Sequence, residues 1–167
     1  MWNVGAGLAP APNFKMIDQK RITADIVSEL ESLADPAYRE QLRGYFSEEI
    51  NPIGVRSKAV HNVASRHWQS MKKEPKERIF ELCEVIFERR IVETTTIAID
   101  FLWNLRKKLE RSDFARLERW LDDYVDNWGT CDNLCGRVVG YSIRENPEFA
   151  SSLKKWAPSD NRCARSA

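Results

Sequence analysis

At 167 residues, 43% hydrophobic and 31% charged, the chain is long enough for a sizeable core and has the balance of an ordinary globular protein. Its net charge of +1 excludes the strongly basic class that announces nucleic acid by charge alone, although a basic face can hide in the total. No run approaches the roughly 18 apolar residues of a membrane helix, and residues 1–16 lack a signal-like apolar core, so a cytoplasmic protein is expected.

Residues 1–20, broken by Gly5, Gly7, Pro10 and Pro12, read as an irregular N-terminal tail, and 21–167 as a single helical domain. Thr23 is placed to cap a helix carrying Ile26, Val27, Leu30 and Leu33. Asp35-Pro36, a cap followed by proline in the first turn, opens a second with Leu42, Tyr45 and Phe46 as its apolar residues. Asn51 to Gly54 is a loop. From about Arg56 a helix carries Val60, Val63, Ala64 and Trp68. Pro75 starts the next, with Ile79, Leu82, Cys83, Ile86 and Phe87 on one face. Glu93 opens a helix whose apolar surface, from Ile97 to Leu105, is wide enough to be contacted on two sides.

Ser112-Asp113 is expected to cap a helix with Phe114, Leu117, Trp120, Leu121 and Tyr124. After Asn127 and Gly129 comes a helix with Leu134, Val138, Val139 and Ile143. Asn146-Pro147 opens a short one through Phe149, Leu153 and Trp156, and Pro158-Ser159 starts a last. No segment alternates like a strand, so the fold class is all-α. First helices near 56, 93 and 130 give a period of roughly 37 residues, in the range of two-helix repeats. The expected architecture is a HEAT-like α-solenoid of antiparallel helix pairs with a concave groove.

The segment Asp126-Asn127-Trp128-Gly129-Thr130-Cys131-Asp132 carries the most chemical information. If the helix includes Trp128, that indole and Asp132 share a face, four residues apart. If Thr130 is the cap instead, Asp132 lies in the first turn and Trp128 in the loop before it. Spacing leaves a structural reading open beside the functional one, since Asp in a first turn suits the helix dipole and Trp is often core.

"Asn-Trp-x-x-x-Asp" after an apolar helix resembles the active-site segment of the DNA alkylation repair (AlkD-like) family, whose HEAT-like solenoid cradles duplex DNA. The resemblance covers roughly residues 20–167. It implies that Trp128 is the active-site tryptophan and Asp132 the catalytic aspartate. Residues 159–167 resemble the family's "Asn-x-Trp-x-Arg-Arg" helix start, which implies that Arg165 is the active-site arginine. Ile53-Gly54-Val55-Arg56 resembles its "Gly-Val-Arg" opening to a repeat, and Val92-Glu93 its acidic start to an apolar helix. The pattern departs at Cys163 and Ser166, where the family has tryptophan and a second arginine, and at Gly129 and Cys131. The family's further helices imply a domain incomplete at its C-terminal end.

The implied activity is a DNA glycosylase that excises purines alkylated at N3 or N7. Such bases are already cationic and leave without a general acid. Asp132 would stabilise positive charge developing on the sugar and orient water. Trp128 would offer an electron-rich face, and Arg165 would hold a phosphate. The densest late basic group, Lys154, Lys155 and Arg162 with Arg165, is expected to bind DNA. Arg106-Lys107-Lys108 and Lys72-Lys73 sit near helix ends, where positive charge suits the dipole.

No cofactor or metal is expected. Cys131 and Cys135 supply two of the four ligands zinc needs, and His61 and His67, six apart, fall on different sides of one helix. The four cysteines, Cys83, Cys131, Cys135 and Cys163, are expected as reduced, mostly buried thiols, and none has a clear His partner for nucleophilic chemistry. A monomer acting on duplex DNA is the expected state. The rival reading is a non-catalytic HEAT-like scaffold that binds protein or DNA.

Overall fold

Asp18, not Thr23, caps the first helix in the computed structural model, which describes residues 18–154. The Asp18 carboxylate accepts from the Arg21 amide at 3.0 Å, so α1 runs Gln19–Ser32 and Thr23 is buried inside it. A carboxylate at this position satisfies an amide that the helix itself leaves unpaired, which is why the earlier residue wins. For α2 (Pro36–Tyr45) the expected start holds: Asp35 accepts from the amides of Ala37 and Tyr38, and Pro36 takes the first turn. Residues 1–17 and 155–167, which include Trp156 and the helix expected from Pro158, lie outside the described residues.

The loop after α2 is held by groups far apart in sequence. Glu93 is buried, and its carboxylate accepts from three backbone amides: Ile53 at 2.9 Å, Gly54 at 2.7 Å and Val55 at 3.0 Å. Gly54 has φ of 98°, in the left-handed region, and its carbonyl accepts from the Asp35 amide at 2.9 Å. A Cβ on Gly54 would stand 2.6 Å from the Asp35 carbonyl oxygen and 2.7 Å from the Arg39 Cβ. Gly54→Ala should therefore lower the unfolding free energy by roughly 2–3 kcal/mol. Urea denaturation checks this, and an unchanged midpoint would refute it.

Helices α3 (Ser57–Met71), α4 (Lys76–Phe87) and α5 (Val92–Leu105) follow, with Val60, Val63, Ala64, Ile79, Leu82, Cys83, Ile86 and Phe87 buried as their spacing predicts. Two short 3-10 turns, Arg106–Lys108 and Arg111–Asp113, lead to α6 (Phe114–Tyr124). Asp113 stands before α6 but does not cap it. Its carboxylate is taken by the Glu110 amide at 2.8 Å and the Lys76 ammonium at 2.9 Å.

α7 (Trp128–Asp132) continues without a break through a π-helical stretch, Asn133–Val139, into α8 (Gly140–Glu145). A 3-10 turn, Pro147–Phe149, and α9 (Ala150–Leu153) close the described chain. Among the described residues there is no strand. The first helices of successive pairs begin at 57, 92 and 128, within two residues of the expected positions.

The helices pack in two layers. α3, α5 and the rod from α7 to α8 lie side by side, while α4 packs against α1 and α6 behind them. α5 touches both layers, and Ile97, Ala98, Ile99, Phe101, Leu102 and Leu105 are all buried, so the expected two-sided contact is present. Full burial of each of the larger side chains, Ala98 excepted, contributes about 1.5–3 kcal/mol. At the seam of α4 and α6, Glu84 accepts from Trp120 Nε1 at 2.6 Å, Arg119 at 2.7 Å and the Tyr124 hydroxyl at 3.3 Å. Phe80 and Phe87 pack on the Trp120 ring beside it.

Candidate functional site

The buried Asn127 side chain starts α7 by accepting from the Thr130 amide at 3.0 Å. Thr130 is therefore not the cap; its hydroxyl donates back to the Asn127 carbonyl at 3.1 Å. Trp128 is thus the first helical residue, and Trp128 and Asp132 lie one turn apart on the same helix. Both are exposed, Trp128 by 46%. A tryptophan that served only the core would not leave half its surface in water. Among the described residues no hydrogen bond or ion pair engages the Asp132 carboxylate.

Tyr45 and Phe46 meet Trp128, which their sequence positions do not suggest. The ring centroids lie 5.9 Å and 5.4 Å from the indole, and Tyr45 is 67% exposed. These residues read as the apolar side of α2, but α2 has no buried residue, and its C-terminal aromatics instead form a patch with Trp128. The available signal was the poverty of that apolar face, with Leu42 as its one large aliphatic residue before two adjacent aromatics that point different ways. Gly129 keeps the approach close, since a Cβ there would meet Phe46 at 3.3 Å.

The π-helical stretch begins one residue after Asp132. Its wider turn buries Leu134, Cys135, Val138 and Val139, and leaves Gly136 exposed on the side of Trp128 and Asp132. A Cβ at Gly136 would meet nothing within 4 Å, so packing within the chain does not demand glycine there. Glycine in a helix costs about 1 kcal/mol relative to alanine. What it provides at this position is bare backbone that a partner can approach closely.

Beside this helix lies a cleft of about 520 Å³ lined by His61, Trp68, Asp100, Trp103, Asn104 and Arg137, among others. The buried Asp100 carboxylate accepts from His61 Nδ1 at 2.5 Å and from Arg137 at 3.0 Å. Arg137 also reaches the Asn133 side chain at 3.4 Å, which ties the cleft to the residue after Asp132. His67 turns the other way, to Glu29 of α1 at 3.0 Å, as its six-residue offset from His61 predicts. Sequence reasoning missed the cluster of His61, Asp100 and Arg137 because each sits in a different helix pair.

The remaining expected groups are quickly placed. Cys83, Cys131 and Cys135 are buried. Burial, reinforced by the nearby Glu84 charge, pushes the Cys83 thiol well above its ordinary range, which makes it a poor nucleophile. Among the described residues no three His, Cys, Asp or Glu side chains converge as a metal site. No described helix is long and apolar enough to cross a membrane. Lys154 is exposed just after α9, whereas Lys155, Arg162 and Arg165 lie outside the described residues.

Compared with known proteins, the chain matches over residues 26–167 the model of a family described as DNA alkylation repair enzyme. Among curated proteins none matches it.

Proposed function

The chain belongs to the DNA alkylation repair enzyme family, and on that premise we propose that it is a DNA glycosylase. Its substrate is duplex DNA bearing purines alkylated at N3 or N7. The observation that carries the reading is the exposed pair Trp128 and Asp132, one turn apart, with the carboxylate unengaged among the described residues. Other exposed acids such as Asp25, Asp122 and Asp123 are equally unengaged among the described residues, so what sets Asp132 apart is the exposed indole one turn before it.

In this reading the helix pairs form a HEAT-like solenoid over 21–167, acting as a cytoplasmic monomer. Its concave groove carries α3, α5 and the α7–α8 rod, and DNA docks across it. The C1′–N bond of the lesion breaks, and its electron pair leaves with the purine, cancelling the charge the alkyl group had placed there. Asp132 stabilises the positive charge left on the sugar and orients a water, whose oxygen adds to C1′ as it loses a proton. Trp128, flanked by Tyr45 and Phe46, presents a π-face to the cationic base and sugar, a contact of about 0.5–2 kcal/mol. Arg165 holds a phosphate near the lesion, and Lys154, Lys155 and Arg162 extend the phosphate contacts. The chemistry calls for no metal or organic cofactor.

The exposed aromatic patch of Tyr45 and Trp128 favours one other reading, a non-catalytic HEAT-like scaffold that binds protein or DNA through it. Base release separates the two. Incubated with duplex DNA carrying N7-methylguanine or N3-methyladenine, the protein should liberate the free base and leave abasic sites faster than spontaneous depurination. Release at the rate of the protein-free control would sink the glycosylase reading.

A further inference from the structure

Next to the cleft, guanidinium groups and aromatic rings alternate along one side of the molecule. The Arg137 Cζ stands 5.2 Å from the Trp103 ring, and the Arg106 Cζ stands 4.0 Å from that ring and 5.1 Å from Tyr141. The Arg144 Cζ follows, 5.2 Å from Tyr141. Trp103 and Tyr141 meet edge to face at 5.5 Å, so the two rings adjoin and Arg106 lies close to both. It joins the end of α5, the 3-10 turn after it, the π-helical stretch and α8.

The charges are only partly answered from within. Asp100 pairs with Arg137, and Glu145 reaches Arg144 at 3.5 Å on the exposed surface. Arg106 donates to the Trp103 carbonyl at 2.8 Å, and its Nε is buried without a hydrogen-bond partner among the described residues. Lys107 and Lys108 are exposed just beyond it. A flexible arginine gives up much side-chain freedom when it is held against rings. Fixed in this way, its remaining N–H donors are pre-set for a phosphate. Helix-end electrostatics would account for positive charge here, but not for a guanidinium lying 4.0 Å from one ring and 5.1 Å from a second.

We propose that Arg137, Arg106 and Arg144, held in alternation on Trp103 and Tyr141, form a track that binds successive phosphates of one DNA strand. This rests on the DNA-repair reading and adds the contact surface on which the duplex lies. The track starts at Asn133, next in the chain to Asp132, so a strand bound along it would run up to the carboxylate. Asp100 and His61 act as positioning residues that fix Arg137 from behind.

The test is binding of the whole chain to a labelled, undamaged duplex of about 20 base pairs, by fluorescence anisotropy across roughly 50–200 mM KCl. Each of Arg106→Gln and Arg144→Gln should weaken binding roughly three- to tenfold at about 100 mM salt. Each should also lower the slope of log K against log salt by about 1. Arg106→Lys keeps the charge but loses the planar guanidinium with its fork of donors, and should fall between wild type and Arg106→Gln. Arg116→Gln is the control, because Arg116 also lies over a ring, Phe80 at 5.0 Å, but on α6 in the other layer. It should change neither affinity nor slope.

Weaker binding with an unchanged slope would mean packing rather than phosphate contact, and would overturn the track. So would wild-type protein that ignores duplex DNA at the lowest salt, leaving an acidic protein segment as the occupant. Arg144 is exposed and its substitution should leave the fold intact, so that variant decides the matter if Arg106→Gln unfolds. A protein that binds DNA with the expected slopes but releases no base would retain the track and lose the glycosylase reading.

Discussion

Asp132→Asn should reduce alkylpurine release about 100- to 1,000-fold while duplex binding changes less than about twofold. The size follows from where the charge acts. Asp132 is exposed in the free protein, and a carboxylate about 4 Å from a cationic sugar in bulk water contributes only about 1 kcal/mol. With water excluded by docked DNA, the effective dielectric falls to about 20 and the same pair is worth about 4 kcal/mol, close to a thousandfold in rate. Asparagine keeps the volume and removes the charge, and no described side chain depends on Asp132 for a partner. The variant should therefore fold and bind as the wild type does. Single-turnover base release measured beside anisotropy gives both quantities. Unchanged release in Asp132→Asn would remove the carboxylate from the mechanism.

Glu93→Ala should cost roughly 3–5 kcal/mol of stability, the largest loss expected for any single truncation away from the hydrophobic core. The buried carboxylate answers three backbone amides, those of Ile53, Gly54 and Val55, across 38 to 40 residues of sequence. Alanine would leave these donors in a buried corner with nothing to accept from them, at about 1–3 kcal/mol for each that water cannot reach. Glu93→Gln keeps one acceptor oxygen and turns an amide group toward the donors, so it should fall between the two. Guanidinium denaturation of the three proteins checks the order. The loss should also loosen Tyr45 and Phe46, whose helix leads into this loop, and with them the wall beside Trp128. Acrylamide quenching of the Trp128 contribution, taken as the difference between each protein and its Trp128→Phe counterpart, should rise in either variant under native conditions.

The helical class, most helix starts and the buried faces of α3, α4, α5 and α6 were legible in the residues themselves, because each depends on neighbours within about one turn. Asp35-Pro36 and Pro75 mark starts by local backbone chemistry, and Ile79, Leu82, Cys83, Ile86 and Phe87 show their common side by spacing alone. Spacing left open whether Trp128 and Asp132 share a helix, and the Asn127 side chain settled it by capping α7 ahead of Trp128. Thr23 and Asp113 show the limit of such rules. Asp18 offered a better-placed acceptor five residues earlier, and Asp113 was drawn away by Lys76 from another helix pair.

Tertiary structure decided what meets across pairs. Glycine at 54 and glutamate at 93 each carried a family-like signature, yet only packing of α5 against the loop revealed that one acid holds that turn. His61, Asp100 and Arg137 come together, and Tyr45 and Phe46 reach Trp128, because separate helices stack. Arg106 lies over Trp103, three residues before it, by local geometry, but its second ring, Tyr141, comes from α8 and is supplied only by packing. Periodicity determines which side of a helix is buried, since that depends on 3.6 residues per turn; which buried and exposed sides face each other depends on how whole helices pack, and no local spacing encodes that.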